Sequence, residues 1–141
     1  MSKKLLLECI FAVAVVAVLG VVLYLTLGDP VVDASQITGV TVYGENRETG
    51  QVSSASLSSS DVETVIKIFH GKKKISDSPG DIFSENCAFV LTDGDTEYYY
   101  CLSVDGSNYV CSAHDDMYFE ISSKERSVLI GFLEDYCGYG A

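Results

Sequence analysis

The chain has 141 residues and a formal net charge of −11, which allows one ordinary domain and little more. The first 27 residues hold two lysines and one glutamate, so the remaining residues carry a net charge of −12. A surface this acidic repels the phosphates of nucleic acids, and we expect no nucleic-acid partner. Cationic partners, such as basic peptides, are compatible with it.

The amino-terminal segment is strongly apolar. Residues 5–27 contain a single charged residue, Glu8, and Lys3 and Lys4 precede them. At about 1.5 Å rise per residue this run matches the roughly 30 Å hydrocarbon core of a bilayer. The sequence therefore predicts a transmembrane helix that contacts the membrane through residues 5–27. The positive-inside rule places the amino terminus in the cytoplasm and the rest of the chain outside.

A cleaved signal peptide is the alternative interpretation of this segment. Its apolar run is longer than the 7–15 residues typical of signal peptides, which favours an uncleaved anchor. Val32-Asp33-Ala34 is nevertheless an acceptable cleavage site, and cleavage near Ala34 would release a secreted protein. The predicted organisation is an anchor or signal sequence over residues 1–27, a linker over 28–35 and an extracytoplasmic α+β domain over 36–141.

The first half of the exported domain contains a predicted hairpin and a predicted helix. Residues 37–42 alternate apolar and polar side chains, and residues 51–57 form a serine-rich return strand. A capping box that begins at Ser60 precedes apolar residues at helical spacing as far as Phe69. Gly71 ends this helix.

The second half contains strands over residues 86–92, 96–104, 108–113 and 117–121, followed by a second helix. Asp93-Gly94 and Asp105-Gly106 are typical hairpin turns. We place Leu91 opposite Thr96, which directs the predicted core side chains to one face: Cys87, Phe89, Leu91, Tyr98, Tyr100, Leu102, Val104 and Val110. A capping box at Ser122 starts the last helix, and Gly138 ends it.

These elements define the predicted fold class as α+β. It consists of an N-terminal transmembrane helix followed by a small antiparallel sheet with two amphipathic helices packed on one face.

Four cysteines lie after the apolar segment, and an even number in an exported domain indicates disulfide bonds. The hairpin register places Cys101 opposite Cys111 on the outer face, and Cys87 on the inner face is within reach of Cys137. We predict the pairs Cys101–Cys111 and Cys87–Cys137. The spacing does not resemble the close cysteine pairs of zinc sites.

The candidate binding residues are Tyr99, Tyr109 and Tyr118, which the register places on the face opposite the core. Exposed tyrosines form rigid, amphipathic contact surfaces. Cross-strand stabilisation of the sheet is the alternative role for them.

No motif for catalysis, cofactor binding or metal binding is present. The segment from Asp93 to Glu97 begins like a calcium loop but lacks the required glycine and glutamate further along. His114 and Asp116 in a predicted loop are the weak basis for a hydrolase alternative. We predict no catalytic residues, no cofactor and no metal ligands.

Several short segments, as they stand here, resemble small exported or membrane-anchored proteins of unassigned function from Gram-positive, Clostridia-like bacteria. The segments are Phe69-His70-Gly71-Lys72, Ser76-Asp77-Ser78-Pro79, Phe83-Ser84-Glu85, Cys101 after aromatic residues, and Tyr118 to Ser122. The resemblance covers about half the chain and implies location and style of fold only.

The sequence thus favours a membrane-anchored extracytoplasmic binding module that contacts protein or peptide at the cell envelope and is not an enzyme. A cell-envelope hydrolase and a structural, pilus-like subunit are the alternatives.

Overall fold

The computed structural model describes residues 2–27, 36–113 and 116–140, with the side chains of residues 20–27 excluded. The predicted linker over 28–35, including the candidate cleavage site, lies outside the described residues. The elements in chain order are α1 (Lys3–Leu27), β1 (Gly39–Glu45), β2 (Val52–Ser56), α2 (Ser59–Phe69), β3 (Phe83–Asp93), β4 (Thr96–Ser103), β5 (Tyr109–Ser112), β6 (Met117–Glu120) and α3 (Ser123–Cys137).

Helix α1 is exposed along all of its described side chains, and Leu7 and Val16 are each 70% exposed. A membrane span needs about 20 consecutive apolar residues. No helix in the described part of the chain is long and apolar enough to cross a membrane. The transmembrane helix predicted over residues 5–27 is therefore wrong.

The six strands form one antiparallel sheet in the order β2-β1-β3-β4-β5-β6. The α+β class is confirmed, and the serine-rich return strand is present as β2. The hairpin between β3 and β4 pairs Asp93 with Thr96, and Gly94 adopts a positive φ of 55° in its turn. The predicted pairing of Leu91 with Thr96 is thus shifted by two residues. Because side chains alternate with a period of two, this shift leaves every residue on its predicted face.

Both α2 and α3 pack on the same face of the sheet, as predicted. Phe69 of α2 lies at the centre of the contact, with its ring centroid 5.2 Å from that of Tyr100 and 5.3 Å from that of Phe119. The buried cluster contains Val40, Val42, Val65, Ile68, Phe69, Phe89, Leu91, Tyr100, Leu102, Val110, Phe119, Leu129 and Leu133. We call this helix-covered side of the sheet the inner face.

Capping residues determine where helices α2 and α3 begin. The predicted capping box of α3 is present, with the Ser122 side chain accepting from the Glu125 N–H and Glu125 accepting from the Ser122 N–H. Glu125 also binds the Lys72 ammonium at 2.8 Å, which links the segment after α2 to the start of α3. The cap of α2 is Ser58, which accepts from the Asp61 N–H. The capping box predicted at Ser60 is therefore two residues too late.

The end of α3 approaches β1 closely at Gly44. A Cβ atom at this position would lie 2.7 Å from the Cβ of Cys137, so only glycine fits without movement. Gly44 is paired with Cys87 of β3. The two inner cysteines therefore flank one glycine at the end of the sheet.

Candidate functional site

The face of the sheet opposite the helices carries a group of aromatic side chains. We call this surface the tyrosine face and define it by Tyr43, Phe83, Tyr99, Tyr109 and Tyr118. These residues occupy five of the six strands, from β1 to β6. They share one face because cross-strand partners lie on the same side of an antiparallel sheet.

One row of cross-strand partners runs across the centre of this face. Tyr43 pairs with Ala88, Ala88 with Cys101, Cys101 with Cys111, and Cys111 with Tyr118. Small side chains therefore occupy the middle of the row and tyrosines stand at both sides.

The smaller residues of the tyrosine face are buried although no helix in the described part of the chain covers them. Ala88 is 0% exposed, Val90 is 2% and Cys101 is 4%, whereas Tyr99 is 37% exposed. Tyr43, Tyr109 and Tyr118 are half-buried. The large tyrosine rings cover the small residues beside them, and this contact stabilises the sheet. The exposed part of each ring remains available for contact with a partner.

Contacts with neighbouring side chains position the aromatic residues of the tyrosine face. The ring centroids of Phe83 and Tyr118 are 5.6 Å apart. The Tyr99 hydroxyl donates to a Glu97 carboxylate oxygen at 3.2 Å, and this contact raises the pKa of Tyr99. Tyr99 therefore keeps its proton and can also accept a hydrogen bond from a ligand.

Acidic side chains surround the tyrosines. Glu85, Glu97 and Glu120 are exposed, and the electrostatic influence of Glu85 reaches both Tyr99 and Cys101. Burial, with smaller contributions from Cys111 and Glu85, raises the pKa of Cys101 to about 12. The Cys101 thiol is thus neutral and unreactive at ordinary pH, and the charged groups at this site are carboxylates.

The three tyrosines chosen from the sequence all lie on the tyrosine face. Two other members were missed. The alternation in the first strand would have placed Tyr43 there, because it has the opposite phase to Val40 and Val42. Phe83 has no such signal, since an irregular register between Phe83 and Ala88 changes the phase of β3.

The predicted disulfides are absent: none of the described cysteines forms one. Cys101 and Cys111 are opposite each other, as predicted. The hydrogen bond from the Ala113 N–H to the Tyr99 carbonyl sets the phase of the ladder and makes Cys101–Cys111 a hydrogen-bonded pair. The side chains of such a pair stand farther apart than those of a non-hydrogen-bonded pair.

The inner cysteines have other polar partners. Cys137 Sγ contacts the Val42 carbonyl oxygen at 3.7 Å, and the Tyr139 hydroxyl is close enough to the Cys87 thiol to influence its pKa. These contacts replace the predicted Cys87–Cys137 bond.

A cleft of about 270 Å³ lies next to Cys87, between the end of the sheet and the chain after α3. Arg47 Nη2 donates to the Tyr139 hydroxyl at 3.1 Å, and its guanidinium lies 5.3 Å from the centroid of that ring. Burial raises the pKa of the Cys87 thiol, against smaller opposing effects of Tyr139 and the arginines. Cys87 is therefore a packed thiol rather than an activated nucleophile.

The weak hydrolase site has only one described member. His114 lies outside the described residues, and Asp116 adopts a positive φ of 50° at the start of β6. Among the residues that the structure describes, no group of three histidine, cysteine or carboxylate side chains could hold a metal ion. The hydrolase hypothesis stays a prediction.

The chain matches no protein-family model, no curated protein and no solved structure at a significant level. The resemblance to small exported proteins of Gram-positive bacteria stays a prediction.

Proposed function

We propose that this protein is a non-enzymatic binding module that contacts a protein or peptide through its tyrosine face. The observation that supports it is the set of five aromatic side chains on the side of the sheet that no described helix covers. Tyrosine combines a large apolar ring with a polar hydroxyl and loses little side-chain entropy on binding. Such residues are enriched among those that dominate binding energy at interfaces.

The charge of this surface indicates which class of partner it binds. Glu85, Glu97 and Glu120 are exposed beside the rings, and the whole chain carries a net charge of −11. Lysine and arginine side chains are attracted both by carboxylates and by the faces of aromatic rings. We therefore expect a partner segment that presents basic side chains between apolar ones.

The test is a peptide selection against the full-length protein, followed by affinity measurements on variants. Tyr99→Ala is expected to weaken binding of the selected peptides at least about tenfold, as the loss of a central aromatic contact does. Val128→Ala is the matched control, because Val128 is an exposed apolar residue on α3, at 36% exposure. Peptides that bind both variants equally, or a selection that yields no saturable binder, would contradict the proposal.

The location of the protein is a second part of the proposal. Lys3 and Lys4 before an apolar segment, with Val32-Asp33-Ala34 after it, support export and a role outside the cytoplasm. Amino-terminal sequencing of the protein from fractionated cells tests this. Recovery outside the cytoplasm, with a new terminus near Ala34, would support processing and secretion, whereas an intact chain in the cytosol would contradict export.

A further inference from the structure

The two edges of the sheet differ in whether another segment of the chain pairs with the edge strand. At the β6 edge, Ile75 forms an isolated bridge with Tyr118, with N–H to carbonyl distances of 2.6 and 2.9 Å in the two directions. At the β2 edge, no strand or bridge in residues 36–113 and 116–140 lies alongside. Within these described ranges the sheet is therefore covered at one edge and open at the other.

The phase of the β1–β2 ladder identifies which backbone groups face outward. The Leu57 N–H donates to the Val40 carbonyl at one end, and the Asn46 N–H donates to the Gln51 carbonyl at the other, both at 2.9 Å. Hydrogen-bonded and non-hydrogen-bonded pairs alternate in an antiparallel ladder. The residues of β2 whose N–H and C=O groups point away from β1 are Val52, Ser54 and Ser56, and all three are exposed.

Strand β2 lacks the features that normally protect an open edge. Edge strands usually carry lysine, proline or a bulge that blocks further pairing. The sequence of β2 is VSSAS, and its pairing with β1 is regular over five residues. Three donors and three acceptors in regular spacing match the requirement for addition of one more strand.

Charge decides which strand fits this edge. Exposed Glu48 precedes β2, and exposed Glu63 lies in α2, which follows it. The nearby Arg47 guanidinium is directed to Tyr139. A second copy of this chain would bring two molecules of net charge −11 together, which electrostatic repulsion opposes. An extended segment with basic side chains satisfies both the backbone groups and the local charge.

We propose that the outer edge of β2 binds an extended basic peptide segment by strand addition. The backbone of the peptide pairs with Val52, Ser54 and Ser56, and its lysine or arginine side chains lie near Glu48 and Glu63. This edge adjoins the tyrosine face at Ser54, which pairs with Tyr43, but it binds through outward backbone groups and not through the aromatic rings. The proposal stands if the tyrosine face binds nothing.

The probe is a short blocked peptide in which lysine and valine alternate, titrated against the full-length protein. Ser54→Pro removes an outward N–H and places a ring at the edge, while the hydrogen bonds to β1 are kept. Ser54→Ala is the matched control, because it removes the hydroxyl and keeps the N–H. We expect saturable binding to the wild type and Ser54→Ala, and at least about tenfold weaker binding to Ser54→Pro.

Hydrogen exchange gives a second readout that does not depend on the folding of the proline variant. The amides of Val52, Ser54 and Ser56 are expected to exchange rapidly in the free protein and at least about tenfold more slowly with saturating peptide. The amides of Leu129 and Leu133, which are buried in α3, serve as the internal reference.

Three results would overturn the proposal. The first is equal affinity for Ser54→Pro and Ser54→Ala, which would show general charge attraction only. The second is unchanged exchange at the three edge amides. The third is a dimer in sedimentation that Ser54→Pro dissociates, since this would assign the edge to a second copy of the chain.

Discussion

The two faces of the sheet use aromatic residues in opposite ways. On the inner face, Phe69, Phe89 and Phe119 are each 1% exposed or less and pack against one another beneath the helices. On the tyrosine face, small residues such as Ala88 are buried and the larger rings remain partly exposed. The aromatic residues of the inner face thus stabilise the fold. On the tyrosine face no described helix packs over the rings, so aromatic surface remains available for a partner.

The largest expected effect is the loss of the central aromatic residue of the inner face. Phe69→Ala should lower the free energy of unfolding by about 3–5 kcal/mol, because it removes a buried ring and leaves a cavity. Tyr109→Ala, on the tyrosine face, should cost less than about half of that because its ring is only half-buried. Urea denaturation of both variants measures the difference. Equal losses would show that the tyrosine face is a second core.

The second prediction concerns the close approach of α3 to the sheet. Gly44→Ala should destabilise the fold by about 1–3 kcal/mol, since the added methyl group would lie 2.7 Å from the Cys137 Cβ. Gly39→Ala is the matched control in the same strand, because no atom lies within 4 Å of its added Cβ. Thermal unfolding compares the two. A neutral Gly44→Ala would show that the end of α3 moves freely.

The third prediction tests burial beneath the tyrosines. Cys101 has its pKa raised from 9.0 to about 12, chiefly by burial. Between these values the unfolded chain loses the thiol proton and the folded chain keeps it, so stability should fall as the pH rises from about 9 to 12. The slope from this group approaches about 1.4 kcal/mol per pH unit.

Cys101→Ala should flatten this alkaline slope while lowering stability at neutral pH. Urea denaturation between pH 8 and about 11, compared with the wild type, measures the change. An unchanged slope would mean that the Cys101 thiol is accessible to water in the folded protein. The tyrosine rings would then not shield it from solvent.

The smallest expected effect lies at the covered edge of the sheet. Lys72→Met removes the ion pair with Glu125, whose partners have 22% and 28% exposed side chains. We expect a loss of about 0.5 kcal/mol, reduced further by salt, because partly exposed ion pairs contribute little. Lys73→Met is the control, since Lys73 is exposed and adjacent in sequence. A loss of several kcal/mol would show that this segment is part of the core.

Much of the fold was predictable because its signals are local. Alternation assigned the faces of β4 and β5 correctly even though the β3–β4 register was shifted by two residues. The capping residue Ser122 and the terminal glycine Gly138 fixed the bounds of α3 for the same reason. The late start predicted for α2 has a local cause as well, because three consecutive serines before Asp61 offer several possible caps.

The features that failed depend on contacts distant in sequence. The phase of Phe83 follows from an irregular pairing with β4, which no local pattern reveals. The disulfides were predicted from the even number of cysteines and from their expected proximity, whereas none of the described cysteines forms a disulfide. The span predicted over residues 5–27 rested on apolar length, and no helix in the described part of the chain is long and apolar enough to cross a membrane.

The most direct test of the account is a map of chemical shifts when a selected basic peptide is titrated into the isotopically labelled full-length protein. The account predicts the largest changes at Tyr43, Tyr99, Tyr109 and Tyr118, with small changes in α2 and α3. Changes centred on α3, or on the cleft between Arg47 and Tyr139, would contradict the assignment of the tyrosine face as the binding surface.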